Sequence, residues 1–268
     1  MDLIKRTFTA VVLLGSLFVI IQYAPDWVFF LAGLAFVLAA LFEFYHLTGM
    51  KGLGPEKALG AAMSVVVLLP YYFRTIPLEA ALFAAVLAAG VFYLVAVRTP
   101  EKLALFPASF ATTLAGVLYI AFPLGFVFRL RLEEGPFLLY FLAAVVFLGD
   151  TGAFFIGKPF GRHKMTPIAS PNKSWEGSAG GFLFAVAGAV LARVLLLPEV
   201  PLLTVVLTGL VVHAAAQVSD PLESLFKRAV GVKDSSNSLP GHGGFLDRID
   251  SLILAGPLLY FIVKYLWR

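Results

Sequence analysis

The sequence predicts an all-α polytopic membrane protein with about nine transmembrane helices and a site at the cytoplasmic interface. Composition is the first observation: 60% of the 268 residues are hydrophobic and only 13% are charged. The mean hydropathy of +0.92 is far above that of a soluble protein. Apolar runs long enough to span a bilayer recur along the chain, and two long polar segments interrupt them in its second half.

The apolar runs are assigned to nine spans. The first follows a basic start that is also typical of a signal peptide, but the weak cleavage pattern and the following Pro25 and Asp26 favour a transmembrane helix. The fifth contains Pro123, where we expect a kink that neighbouring helices tolerate. The expected spans are residues 8–23, 27–45, 58–73, 79–97, 103–127, 136–157, 179–197, 201–219 and 249–267.

Lysine and arginine are distributed unevenly between the two sides of these spans. With the N-terminus in the cytoplasm, 14 of the 20 Lys and Arg residues fall on the cytoplasmic side. This bias predicts that orientation for an integral, multi-pass protein of the cytoplasmic (inner) membrane. Both long polar loops, residues 158–178 and 220–248, then share the cytoplasmic face and can build one site. The net charge of +4 reflects topology, so no nucleic-acid partner is expected.

The two halves of the chain differ in their chemistry. Residues 1–135, with five spans, form a chemically quiet N-terminal region. Glu43, Tyr45 and His46 close its second span and are interpreted as interfacial anchors. Residues 136–268 are interpreted as the catalytic region, which contains both polar loops. The absence of cysteine excludes disulfides, cysteine-bound metals and a thiol nucleophile.

The first polar loop follows a span that carries an acidic residue. Asp150 lies about two turns from the cytoplasmic end of this span. A carboxylate at that depth is expected to face a cavity, a cation or a partner charge, and a structural pair with a lysine or arginine is the alternative. Gly157, Pro159 and Gly161 are expected to break the helix. Beyond them, the run SPNKSWEG at residues 170–177 places a cation, an acid, an amide and an aromatic side chain at a helix start.

The second polar loop begins at the end of the eighth span, where Asp220 lies at the membrane surface. Within that span, His213 is interpreted as a packing residue and not as a ligand. Residues 222–230 carry one apolar stripe at helical spacing, which predicts a short helix lying in the interface. A solvated charged face is the alternative. The polar side of this helix carries Glu223, Lys227 and Arg228.

The run GHGGFLDRIDS, residues 241–251, ends the second polar loop. Its glycines permit a tight backbone path whose N–H groups are suited to phosphate oxygens. Asp247 and Asp250, at the start of the ninth helix, share a face, either as metal ligands or as helix caps. Together with Asp220 they suggest a cation bound by carboxylates and substrate phosphates, the usual setting for magnesium. These residues indicate a membrane-interface enzyme that handles phosphates with a divalent metal.

Two motifs in the second half resemble the signature of the phosphatidate cytidylyltransferases, also called CDP-diacylglycerol synthases. The first five spans are similar to that family only in hydropathy. The more specific motif reads Ser224-x2-Lys227-Arg228-x4-Lys233-Asp234-x-Ser236-x2-Leu239-Pro240-x-His242-Gly243-Gly244-x2-Asp247-Arg248-x-Asp250. The other combines Asp150-Thr151, Gly157-Lys158-x-Phe160-Gly161-Arg162 and Ser170-Pro171-Asn172-Lys173-Ser174-x-Glu176-Gly177.

The resemblance implies a reaction and a set of partners. CTP and phosphatidic acid would give CDP-diacylglycerol and pyrophosphate with Mg²⁺, at the surface of a lipid bilayer and in a homodimer. Asp220 and Asp247 would bind the metal. Asp250 would be a third ligand or would orient one, and Asp150 would hold a second cation or orient a basic residue.

The remaining motif residues are assigned to substrate binding through the same resemblance. His242 would donate to a phosphate oxygen. The triphosphate, the leaving pyrophosphate or phosphatidate would be bound by Lys227, Arg228, Lys233 and Arg248. The nucleotide side would include Asn172, Lys173 and Glu176. Further members of the expected site are Ser174, Ser219, Ser224, Asp234, Gly243 and Gly244.

Two other function classes stay open on the sequence. One is a different membrane phosphotransferase, such as a CDP-alcohol phosphotransferase or a lipid-alcohol kinase. The dense aspartate motif of the former is missing, and so is any loop of the Walker type. The other is a transporter or channel in which Asp150 and His213 line an ion path. That interpretation leaves the glycine-rich run without a purpose.

Overall fold

The computed structural model describes residues 15–239, 241 and 243–267. Its helices are α1 (residues 15–23), α2 (Asp26–Met50), α3 (Lys57–Tyr72), α4 (Leu78–Ala96), α5 (Pro100–Gly116), α6 (Phe122–Glu134), α7 (Phe137–Phe160), α8 (Trp175–Leu196), α9 (Leu202–Ala229), α10 (Leu246–Ile249) and α11 (Leu252–Leu266). A π-helical turn, Val117–Ala121, joins α5 to α6. Two short antiparallel strands, β1 (Lys164–Thr166) and β2 (Ser170–Ser174), form a hairpin between α7 and α8.

Seven helical stretches among the described residues are long and apolar enough to cross a membrane, which confirms the all-α polytopic class. The span expected at residues 58–73 forms α3, a helix of 16 residues. This is shorter than the roughly 20 residues of a full crossing. The span expected at residues 8–23 lies largely outside the described residues.

The irregularity expected near Pro123 is present, but it takes the form of a π-turn. The fifth span belongs to one helical stretch of 35 residues, Pro100–Glu134. Proline has no N–H for the carbonyl of Tyr119, and the hydrogen-bond ladder widens in the turn directly before it.

The chain forms two compact units, and the first comprises Met1–Phe128 and Ala229–Arg248. Tyr45 lies in its core: the side chain is fully buried, and its hydroxyl donates to the carbonyl of Thr113 at 2.6 Å. Glycines at positions 60 and 116 make room for the ring, because a Cβ at either would overlap it. A buried tyrosine with a bonded hydroxyl packs as a core residue. The interfacial-anchor interpretation is therefore wrong for Tyr45.

The second unit comprises Arg129–Arg228 and Ile249–Arg268. Within it, α7 and α8 lie close together because small residues line their contact. A Cβ at Gly180 would overlap Ile156, and one at Gly188 would lie 2.6 Å from the carbonyl oxygen of Ala144. Without side chains at these points, the two backbones approach as membrane helices commonly do.

The separate interfacial helix expected at residues 222–230 is not present, because α9 continues through Pro221 to Ala229. The last turns bury Glu223 and Lys227, which form an i,i+4 ion pair, while Leu222 and Leu225 are exposed. Pairing removes the net charge of the buried face, so the polar side can pack inside the unit. The break expected at Gly157–Gly161 is present, since α7 ends at Phe160 and Gly161 is its C-cap.

Candidate functional site

The loop formed by residues 235–239, 241 and 243–246 is held in place by carboxylates, and we call it the anchored loop. Asp247 follows it directly and accepts three hydrogen bonds through Oδ2. The donors are the N–H of Ser235 at 2.9 Å, its hydroxyl at 2.9 Å and the N–H of Gly244 at 2.8 Å. Gly243 adopts a φ of +78°, and a Cβ there would lie 2.7 Å from the same oxygen. Glycine is therefore required for this path.

A second carboxylate, from α2, reaches into the anchored loop. Glu43 Oε1 accepts from the hydroxyl of Ser236 at 2.6 Å and from the N–H of Phe245 at 3.1 Å. Its Oε2 accepts from the N–H of Leu246 at 2.8 Å and lies 2.9 Å from the hydroxyl of Ser235. Glu43 is only 7% exposed, so it is not an interfacial anchor. The signal that could have found it is an acid placed inside an otherwise apolar span.

The other expected site residues of the first unit lie around the anchored loop. Lys233, Asp234 and Arg248 are exposed, which suits binding to a ligand that arrives from outside. A Cβ at Gly244 would overlap both the Ser235 hydroxyl and Glu43 Oε2, so this glycine permits close packing. His242 lies outside the described residues.

The second unit contains a group of carboxylates and amines that we call the acid–lysine cluster. Lys173 Nζ lies 2.7 Å from Asp220 Oδ2, and the two side chains are 27% and 28% exposed. Asp150 lies within electrostatic range of both. Asp250 lies within electrostatic range of Asp150, Asp220 and Lys227. The cluster thus comprises Asp150, Lys173, Asp220, Lys227 and Asp250.

Serine hydroxyls contact two residues of the cluster. Ser224 donates to Asp220 Oδ1 at 3.4 Å, and Ser219 donates to the backbone carbonyl of Asp250. Asp250 lies in the turn between α10 and α11, and its Oδ1 accepts the N–H of Ser251 at 2.6 Å. A two-residue turn, Asp250 and Ser251, thus interrupts the expected ninth helix between Asp247 in α10 and the start of α11. The carbonyl of Asp250, in this turn, is the group that accepts from Ser219.

The β1–β2 hairpin and the start of α8 are fixed by two residues of the expected substrate-binding set, Ser174 and Glu176. The N–H of Gly177 donates to Ser174 Oγ at 3.1 Å, which caps α8. Glu176 accepts the N–H groups of Arg162 and His163, and its Oε1 lies 2.6 Å from His163 Nδ1. Much of the Glu176 carboxylate is thus occupied within the chain.

Two further residues lie at the edges of the hairpin. Asn172 is exposed on β2. The Arg228 side chain donates through Nε to the carbonyl of Ala169 at 3.3 Å, which connects the end of α9 to the hairpin. Arg228 therefore has a structural contact in addition to its expected role with phosphates.

His213 is fully buried in the second unit, as expected for a packing residue. Its Nε2 lies 2.8 Å from the amide nitrogen of Gln217, which also donates to the Ser178 carbonyl at 3.2 Å. His213 Nδ1 has no hydrogen-bond partner among the residues that the structure describes. The ring packs against Gly149 and Gly181, so it does not line an open path.

The described part of the chain contains no group of three or more His, Asp or Glu side chains arranged to hold a metal by themselves. Magnesium is commonly held by one or two carboxylates and by substrate phosphates, so such a preformed cage is not required. The carboxylates of the acid–lysine cluster are donors of the type that magnesium prefers. Asp247 belongs to the first unit and Asp220 to the second, and their shared role at a metal stays a prediction.

Comparison with known proteins adds independent evidence. The chain matches the model of the cytidylyltransferase family over residues 4–266. It is 33% identical over 232 residues to a phosphatidate cytidylyltransferase of Bacillus subtilis, with 84% of each chain covered. A protein of the same name from Staphylococcus epidermidis is 29% identical over 262 residues, covering 96% of this chain and 98% of its own. One from Haemophilus influenzae is 41% identical over 151 residues, about half of either chain.

Proposed function

The chain belongs to the cytidylyltransferase family, and we propose that it is a Mg²⁺-dependent phosphatidate cytidylyltransferase of phospholipid biosynthesis. It would convert CTP and phosphatidic acid into CDP-diacylglycerol and pyrophosphate. The observation that carries the proposal is the acid–lysine cluster, in a chain whose described residues include seven helical stretches of membrane length. Charged groups of both signs suit a site where anionic phosphates and a cation meet at a membrane.

The reaction requires alignment and charge neutralisation more than covalent help from the protein. A phosphate oxygen of phosphatidate attacks the α-phosphorus of CTP, and the bond from that phosphorus to the bridging β-phosphate oxygen breaks. Pyrophosphate leaves with the bonding electrons, so no serine or cysteine nucleophile is needed. Catalysis then comes from holding the two substrates in line and offsetting the charge that develops on the leaving group.

The described residues supply the groups for these tasks. Lys173 and Lys227 lie in the acid–lysine cluster, and Arg248 and Lys233 are exposed beside the anchored loop. We assign these four cations, with Arg228, to the triphosphate, the leaving pyrophosphate or the phosphatidate headgroup. Asn172, exposed on β2, is assigned to the nucleotide.

The donor chemistry of the carboxylates fits magnesium. Asp220 and Asp247 would hold the ion, and Asp250 would be a third ligand or would orient one. Asp150 would hold a second cation or orient Lys173, which lies within its electrostatic range. Bound there, the metal would neutralise negative charge on the triphosphate. Asp220 is presented by Ser224 and already faces a cation, the Lys173 ammonium group.

The direct experiment is an assay of the purified protein in mixed micelles or liposomes that contain phosphatidate. Addition of CTP and Mg²⁺ should release pyrophosphate and produce CDP-diacylglycerol in equal amounts, measured by a coupled assay and by mass spectrometry. A lipid kinase would instead yield CDP and no pyrophosphate. Absence of pyrophosphate across several detergents and divalent metals would refute the proposed function.

The number of membrane crossings and their orientation are part of the proposed function, because the site must face cytoplasmic CTP. We infer nine crossings of the inner membrane, with the N-terminus, residues 158–178 and the segment around residues 220–248 on the cytoplasmic side. A cysteine placed at position 163 should react with a membrane-impermeant label only in inverted vesicles if this segment is cytoplasmic. The sequence has no other cysteine that would take up the label. Labelling in intact cells would overturn the orientation. The homodimer is tested by the mass of the purified protein in detergent, measured by light scattering.

A further inference from the structure

Glu43 occupies a position that the proposed reaction does not yet explain. It comes from α2, far along the chain from the catalytic motifs, and it is buried. All four hydrogen-bonding groups that surround its carboxylate come from the anchored loop: two backbone N–H groups and two serine hydroxyls. A carboxylate that accepts from neutral donors forms stronger hydrogen bonds than a neutral acceptor would.

Hydrogen bonds and an aromatic contact both hold the anchored loop against α2, since Phe36 packs edge-to-face on Phe245 with ring centroids 4.8 Å apart. A cavity of about 320 Å³ lies at this contact, lined on the α2 side by Phe42, Glu43 and His46. On the other side it is lined by loop residues that include Ser235 and Ser236. Removal of the carboxylate would leave the Phe36–Phe245 contact in place but would remove all four hydrogen-bonding contacts between Glu43 and the loop.

Two carboxylates share the Ser235 hydroxyl, and this connects Glu43 to a residue of the proposed site. The hydroxyl oxygen lies 2.9 Å from Glu43 Oε2 and 2.9 Å from Asp247 Oδ2. Asp247 also accepts the N–H of Gly244, the residue before the Phe245 and Leu246 N–H groups that Glu43 accepts. A shift at Glu43 is therefore transmitted to the Asp247 carboxylate through one hydroxyl and a short stretch of backbone.

We propose that Glu43 is a positioning residue for cytidylyl transfer: it fixes the anchored loop so that Asp247 and Arg248 are correctly placed for the metal and the substrate phosphates. The proposal rests on the proposed function. Glu43 itself does not touch substrate, since its carboxylate is buried and occupied by the loop. Its negative charge matters because both oxygens must accept, each from a backbone N–H group.

Glu43→Gln is the decisive substitution, because glutamine keeps the size but replaces one acceptor oxygen with an NH₂ group. That group would face a backbone N–H donor, and one loop contact would be lost. We expect kcat for pyrophosphate release to fall about 10- to 100-fold, the scale associated with small misplacements of catalytic groups. The amide protons of Phe245 and Leu246 should exchange faster with solvent. Glu43→Asp keeps the charge and should recover part of kcat.

The matched control is Glu79→Gln, which makes the same charge change on an exposed residue in the first turn of α4 and should leave kcat unchanged. A merely structural role for Glu43 would lower the folded fraction without changing kcat per folded molecule or KM. Each rate is therefore divided by the amount of monodisperse protein. If Glu43→Gln retains wild-type kcat, or loses rate only in proportion to folded protein, the proposal is wrong.

A second variant covers the case in which Glu43→Gln does not fold. Ser235→Ala combined with Ser236→Ala removes both hydroxyls that contact Glu43 but leaves the carboxylate and the backbone donors. We expect a smaller decrease in kcat and faster exchange at Phe245, and wild-type values for both would also overturn the proposal. If the wild-type protein itself releases no pyrophosphate, the proposed function fails, and the positioning role fails with it. Amide exchange then still reports whether Glu43 holds the loop.

Discussion

Carboxylates are used differently in the two compact units. In the first unit, Glu43 and Asp247 accept hydrogen bonds from backbone N–H groups and serine hydroxyls of the anchored loop. In the second unit, Asp220 is paired with the ammonium group of Lys173 and lies near two further aspartates. Hydrogen bonds to the backbone define a shape, whereas an ion pair is a charge that a ligand or metal can replace. Carboxylates thus fix the shape of a loop in the first unit. In the second unit, a carboxylate forms an ion pair whose cation a metal can replace.

Asp247 is the residue on which this distinction is sharpest, because it has a scaffold role and is also proposed to bind metal. Asp247→Asn keeps an acceptor oxygen for Ser235 and Gly244 but is a much poorer magnesium ligand. We expect turnover to fall at least about 1,000-fold, as for loss of a central catalytic group. The measurement is the rate of pyrophosphate release by monodisperse protein. A decrease of only severalfold would show that Asp247 serves the loop alone.

A substitution at Lys173 tests whether a metal or ligand replaces the ion pair between Lys173 and Asp220. Lys173→Met removes the ammonium group from Asp220 and a cation from the triphosphate. We expect kcat/KM for CTP to fall about 100-fold, while the Mg²⁺ concentration that gives half-maximal rate decreases, because the ion no longer competes with the lysine. Lys51→Met, which removes an exposed lysine at the end of α2 and outside both motifs, is the control and should change neither value. An unchanged Mg²⁺ dependence in Lys173→Met would mean that the metal does not replace this pair.

Asp250 combines both kinds of contact: its carboxylate accepts a backbone N–H, and it also belongs to the acid–lysine cluster. Asp250→Asn keeps an acceptor for the N–H of Ser251 but removes a negative charge near Asp220. We expect a decrease in kcat of about tenfold, the lower range for groups that support a metal ligand. A variant with wild-type kcat and wild-type Mg²⁺ dependence would assign Asp250 to the turn only.

The smallest expected effect concerns Glu176, whose carboxylate is occupied by His163 and nearby backbone N–H groups. Glu176→Gln and His163→Ala remove the same side-chain contact, which is partly exposed. We expect each to raise KM for CTP about two- to fivefold, in line with the modest value of exposed pairs. A large loss in Glu176→Gln beside a harmless His163→Ala would instead indicate that Glu176 contacts the nucleotide directly.

The sequence was most informative where periodicity and composition decide the outcome. Apolar run lengths predicted the membrane class, and an aspartate inside an apolar segment marked Asp150 as a member of a charged group. The motifs also identified Asp220 and Lys173, which the fold brings together from different helices and strands. The membrane class is confirmed, and the polar residues could be singled out because an unpaired charge is too costly to place at random in an apolar chain.

Other features depend on tertiary contacts that leave no local signal. Glu43 and Ser235 are 192 residues apart, so nothing in either segment reveals that they meet. The continuation of α9 through Pro221 was missed because a proline normally favours a helix end. Its last turns are instead stabilised by the buried pair of Glu223 and Lys227. The roles of the individual site residues stay predictions until the variants are measured.

The last turns of α9 are apolar on their exposed side and charged on their buried side, and this arrangement has a kinetic consequence. Leu222 and Leu225 are exposed on one side, while Lys227 is buried on the other. In a phosphatidate cytidylyltransferase, a lipid that diffuses along the exposed side stays in the bilayer until its headgroup meets the charged residues. Encounter would then be two-dimensional, and velocity should follow the mole fraction of phosphatidate in the micelle or vesicle. Dilution with neutral detergent should therefore slow the enzyme, although the bulk concentration of phosphatidate is unchanged.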